Sequence, residues 1–184
     1  LQLRGRMNYR VGIVIDSYFN ETDNEIMKAL EDTEILFKEA GYDLTFSLMP
    51  CSLKAANAAH HIVMKAETAH YHAEQFIRTP ELYSDYMKQL IREGLEIKAN
   101  DYLKAQRIRS AFREDLCQLF KNVDIMITPA APTPAPKGIA ETGSPVYSLP
   151  FTNAGVPTLT IPIGMSKESG LPLAMQMVAA PLME

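Results

Sequence analysis

The chain carries no surplus of positive charge. Its 18 Lys and Arg are outnumbered by 22 Asp and Glu, for a net charge of -4. No basic stripe runs along any segment, which excludes a phosphate-neutralising nucleic-acid surface. Cysteine is scarce: Cys51 and Cys117 stand far apart, without a CxxC pair. Two such thiols predict a reduced, cytoplasmic protein rather than a disulfide framework. Long hydrophobic runs are missing too, since VGIVI at 11–15 is of strand length and far short of a membrane span. The amino terminus LQLRGRMNYR is basic, yet no apolar stretch follows it as in a signal peptide. Beginning without methionine and entering a strand almost at once, it reads as internal to something longer. With 47% hydrophobic and 22% charged residues over 184 positions, the composition is that of one globular domain over 1–184, or a large piece of one.

What is present falls into two parts. YRVGIVI at 9–15 has the pattern of a buried strand, closed by Asp16. From Thr22 to Ala40 the apolar positions Ile26, Leu30 and Phe37 recur at helical spacing, and Gly41 supplies a stop. DLTFSLMP follows as a second strand, and strand-helix-strand is the mark of a layered α/β domain. Helices are then expected across about 53–120, with Ser52 as a cap and Pro80 restarting the chain. After residue 122 the character changes, because all of the twelve prolines but Pro50 and Pro80 lie there. VDIMITPAAPTPAP reads as a short buried strand running into a rigid loop, since each proline removes a backbone donor. TLTIPIG and LAMQMVA read as two more strands around the turn SKESG. The expected architecture is an α/β fold, a mixed sheet with strands near 10–15, 43–48, 123–128, 158–163 and 173–178 and helices packed against it. Its core is expected to include Ile13, Ile15, Phe37, Ile62, Phe112, Ile125, Ile127, Leu159, Ile161 and Met175.

Catalytic and metal-binding signatures are sparse. His60 and His61 are adjacent and His70 and His72 are two apart, so neither pair shares a helix face as metal ligands must. No metal or cofactor is expected. Cys51 follows a predicted strand, but free cysteines are more often small core residues and nothing marks it as activated. Ser144 lies in ETGSPVY, outside any GxSxG elbow. Carboxylate pairs such as Glu31–Asp32 and Glu114–Asp115 read as solvated helix faces. The proline loop admits two readings, a rigid structural connection or a pocket wall at the strand ends, where α/β sheets place ligands.

Three blocks resolve part of this. VDIMITPAAPTPAP, TGSPVYSLPFTNAGVPTLTIPIG and GLPLAMQMVA, in that order, resemble the carboxy-terminal part of the amidase signature family. The matching positions are Asp124, Thr128, Pro129, Gly155, Pro157, Pro162, Gly164, Gly170, Leu171, Pro172 and Gln176. The middle helices and the first strand-helix-strand resemble the family as well, so the likeness covers about 8–180. It implies a C–N hydrolase that acts on carboxamides. The family works through a lysine and two serines held by a glycine- and serine-rich stretch, and none of the nine serines here lies in such a run.

The expectation is therefore a substrate-pocket part with no catalytic residue of its own, dependent on an amino-terminal amidase half or another subunit. Still open is a non-catalytic scaffold or partner protein of the same fold, and so is a homo-oligomer. The segment 141–153, between two motif-bearing strands, is expected to line the pocket through Thr142, Ser144, Tyr147, Thr152 and Asn153. Turn chemistry is the competing explanation for the same residue types.

Overall fold

The apolar run at 11–14 becomes the strand it predicts. In the computed structural model, which describes residues 9–139 and 141–184, β1 spans Arg10–Val14, α1 Asn24–Glu39 and β2 Asp43–Ser47. Asp23 caps α1 by accepting from the Glu25 amide at 2.7 Å. β3 (Ile125–Pro129), a short α5 (Leu149–Ala154), β4 (Thr158–Met165) and β5 (Pro172–Ala179) follow later in the chain. The sheet has the order β2-β1-β3-β5-β4. β1 pairs in parallel with both β2 and β3, whereas β5 runs antiparallel to β3 and to β4. The sheet is mixed, as expected.

Side chains alternate between its faces. One face sets Val11, Ile13, Ile127, Leu173 and Met175 against Ile26 and Leu30 of α1. The other carries Met126, Thr128, Gln176 and Val178, all buried. β4 closes one side of the sheet, and it carries Pro162, a residue that a fully paired strand would exclude.

Two expected core residues lie outside the core. Ile15 follows the last residue of β1 and is 56% exposed. Leu159, on the edge strand, is 61% exposed. The cover provided by α1 reaches Ile161 and Ile163 but stops short of Leu159. Ile13, Ile127, Met175 and Phe112 are buried, and Phe37, Ile62, Ile125 and Ile161 are partly so.

The described chain divides into two compact units, one formed by the segments up to Pro50 and from Asp115 onward, the other by Cys51–Glu114. The second unit holds α2 (Leu53–Arg78), α3 (Asp85–Leu95) and most of α4 (Ala99–Leu119). Ala59 and Val63 of α2 pack on Ala105 of α4. α3 approaches α2 so closely at Gly94 that a Cβ there would stand 2.1 Å from the Lys65 carbonyl oxygen. Only glycine fits.

Candidate functional site

β3 delivers the proline loop to the end of the sheet. Pairing continues one residue past the strand, where the Ala130 amide donates to the Ala174 carbonyl at 3.1 Å. The Pro132 carbonyl then accepts from the Asp23 amide at 2.7 Å, which ties the loop to the start of α1. Prolines fix φ and so hold the intervening backbone stiff. Beside the loop lies a cleft of about 340 Å³, lined by Pro132, Thr133, Thr142, Ser144, Thr160 and Pro172 among others. Ser144 Oγ accepts from the Val146 amide at 3.4 Å, a turn contact that leaves its proton for another acceptor.

The five residues expected to line a pocket separate here. Thr142 and Ser144 are exposed and border the cleft. Tyr147 is 1% exposed and turned inward, its ring 4.8 Å from that of Phe19 and 5.9 Å from that of Tyr18. Its hydroxyl lies 2.9 Å from Thr22 Oγ1, which itself donates to the Phe19 carbonyl. The phenol is therefore the donor of that pair. Thr152 is exposed and Asn153 buried, both on α5. The expectation of a continuous loop from 141 to 153 is corrected at its end, where Leu149–Ala154 is helical. Pro150 sits in the first turn, where proline is tolerated, and Gly155 stops the helix in the left-handed region at φ 65°.

A second cavity, of about 530 Å³, lies at the carboxyl ends of the parallel strands β1 and β3. Val14, Asp16, Asn20, Glu34, Phe46 and Thr128 contribute to its wall. Asp16 accepts from the Tyr18 amide at 2.9 Å and from the Met49 amide at 3.2 Å, so its carboxylate is committed to the backbone. Burial pushes the Glu34 carboxyl above its ordinary value, with Lys38 opposing and Glu31 reinforcing the shift. Sequence reasoning placed a pocket at strand ends in general terms but assigned none of these residues to it. Among the described residues no three His, Cys, Asp or Glu side chains group as metal ligands do, and no helix is long and apolar enough to cross a membrane.

The amidase family profile matches residues 3–184. The chain belongs to the amidase family. An amidase of Pseudomonas putida is 28% identical over 182 residues, covering 90% of this chain and 38% of the relative. A glutamyl-tRNA(Gln) amidotransferase subunit of Bartonella henselae is 30% identical over 209 residues, covering 95% of this chain and 42% of the relative. A crystal structure of an amidase superposes with a TM-score of 0.86 at 25% identity, over 98% of this chain and 44% of that one. The chain thus spans less than half the length of these family members.

Proposed function

We propose that this chain is the carboxy-terminal, substrate-pocket part of an amidase-type hydrolase that cleaves carboxamide C–N bonds. It depends on an amino-terminal half for its catalytic serines and lysine. The observation that carries the reading is the cleft itself. It is walled by the proline loop of one family block and by Thr142 and Ser144 at the start of the next. Rigid backbone suits a pocket, because a pre-set wall loses little entropy when a ligand binds. Hydroxyls at Thr142 and Ser144 can donate to an amide oxygen or accept from an amide nitrogen.

Amide hydrolysis also needs an activated nucleophile and donors aimed at the developing oxyanion. In the family these come from the glycine- and serine-rich region, which this sequence does not contain. The related amidotransferase polypeptide is by name one subunit of its enzyme, which supports a second polypeptide as the partner here. The free thiols Cys51 and Cys117 support the cytoplasm as the compartment.

The test is the purified chain against a panel of small carboxamides, with and without an amino-terminal amidase segment added as a separate polypeptide. Turnover only in the mixture supports the proposal. Activity in neither would favour a scaffold, and turnover by the chain alone, abolished by Cys51→Ala, would overturn it.

A further inference from the structure

Gln176 is 3% exposed, in the middle of β5, on the sheet face opposite α1. A carboxamide so placed needs partners for its protons, because an unsatisfied buried donor is costly. Its Nε2 lies 3.3 Å from Thr128 Oγ1 and 3.3 Å from the Tyr147 carbonyl oxygen. A backbone carbonyl can only accept, so the nitrogen must face Tyr147, and its two protons serve the two acceptors. Thr128 is itself 1% exposed and donates to the Pro129 carbonyl at 3.2 Å, which leaves an oxygen lone pair for Gln176.

The segment after the cleft is thus fixed from three directions. Gln176 holds the carbonyl of Tyr147 from the sheet. Tyr18 donates its hydroxyl to the neighbouring Val146 carbonyl at 2.6 Å. The Tyr147 phenol reaches Thr22 on the far side, just ahead of α1. Val146 and Tyr147 belong to no strand: the Ser148 and Leu149 amides donating to the Pro145 carbonyl shape the turn locally, and the three contacts above seat that turn on the sheet and on the start of α1. Two residues upstream of Val146 stands Ser144, whose Oγ accepts from the Val146 amide. Its position in the cleft follows that of the anchored backbone.

We propose that Gln176 and Tyr18 are positioning residues for the Ser144 wall of the cleft. They act through the Tyr147 and Val146 carbonyls and touch no substrate. The proposal rests on the substrate-pocket reading for its purpose, yet its geometry is testable on this chain alone.

The experiment is amide hydrogen exchange and carbonyl ¹³C chemical shifts of the full chain, comparing wild type with Gln176→Met and Tyr18→Phe. Met keeps the length of Gln without its donors. Tyr18 is only half-buried, so Tyr18→Phe serves where Gln176→Met fails to fold. Gln176→Met is expected to speed exchange at the Ser148 and Leu149 amides, which donate to the Pro145 carbonyl, about five- to tenfold, the loss of one net hydrogen bond. Met126 and Val178 in the strands should exchange as in wild type. The Tyr147 carbonyl carbon should move upfield in Gln176→Met and the Val146 carbonyl carbon in Tyr18→Phe, a signature that a packing role would not produce. Equal acceleration at every strand amide, or unmoved carbonyl shifts in the variant that folds, would overturn the proposal. Failure of the mixed-polypeptide assay would leave these shifts as they are and count against the pocket reading alone.

Discussion

Arg10 and Asp124 close a four-bond clasp between the starts of β1 and β3. The Arg10 amide donates to Asp124 Oδ2 at 2.9 Å, and its guanidinium reaches Oδ1 at 3.1 Å and Oδ2 at 3.4 Å. The Asp124 amide returns a bond to the Arg10 carbonyl at 2.8 Å. The Asp124 side chain is 18% exposed and that of Arg10 is 43% exposed. Arg10 gives a further bond to the Lys121 carbonyl at 3.0 Å, just before Asp124. A motif aspartate that sequence likeness alone would leave open to a catalytic role is here occupied in joining two parallel strands.

The first prediction follows from which of these bonds survive substitution. Asp124→Ala removes every side-chain acceptor for Arg10 and should lower Tm by several degrees. Asp124→Asn keeps an oxygen for the backbone amide and should lie between Ala and wild type. Thermal unfolding of the three proteins measures the order. An Asn variant no better than Ala would mean that charge, not the backbone bond, holds the clasp.

Glu25 supplies a pH-dependent contact. Its carboxylate accepts from the Ser166 hydroxyl and from the Lys167 amide at 2.8 Å, joining the first turn of α1 to the turn between β4 and β5. The Ser166 bond first, then the Lys167 amide, hold its pKa below the ordinary value. A carboxyl depressed in the folded state contributes stability that is present above its unfolded pKa and disappears as pH falls through the folded one. Glu25→Gln should therefore lower Tm relative to wild type at about pH 7, with the gap narrowing toward about pH 3. A gap of constant size across that range would show that the contact does not depend on ionisation.

At Gly94 the second unit permits no side chain. A Cβ would meet the Lys65 carbonyl oxygen at 2.1 Å and Ala69 Cβ at 2.6 Å, so α2 and α3 must part to admit it. Overpacking of this kind costs typically 1–3 kcal/mol, and a rigid backbone atom as the neighbour puts Gly94→Ala at about 3 kcal/mol or more. Urea denaturation followed by circular dichroism should show it. A change below about 1 kcal/mol would mean that the two helices separate without penalty.

Sequence reasoning found all five strands, because apolar runs bounded by turns are a local property. Their order is not local: nothing in LAMQMVA says that β5 inserts between β3 and β4. Ile15 and Leu159 were misjudged for a related reason. Alternation shows which face a side chain occupies, but not where the covering helix ends. α5 hid behind Pro150, which reads as a breaker until it is placed in a first turn. The proline loop reads in sequence equally as a rigid connection or as a wall, and in the structure it borders a cleft together with Thr142 and Ser144. The inward turn of Tyr147 was not legible, since its partners Phe19 and Thr22 lie more than a hundred residues away. Polar loop residues look alike in sequence whether they face a ligand or clamp the chain.

That difference gives the last prediction, which separates Ser144 from Tyr147. Ser144→Ala removes a hydroxyl from the exposed side of the cleft and only a 3.4 Å turn contact from the fold. In a reconstituted enzyme it should shift the ratio of kcat/KM between carboxamides severalfold while leaving Tm within a degree or so of wild type. Tyr147→Phe keeps the ring packed against Phe19 but deletes the buried bond to Thr22. One such net hydrogen bond is worth about 1 kcal/mol, or roughly 2–4 °C in a protein of this size. Substrate ratios should move little, because the Gln176 and Tyr18 bonds still hold the Tyr147 and Val146 carbonyls in place. Measuring both quantities on both variants decides the matter. If Tyr147→Phe alters selectivity at unchanged Tm while Ser144→Ala alters neither, the pocket wall lies on the inner side of this segment, and the cleft beside the proline loop is not where the amide binds.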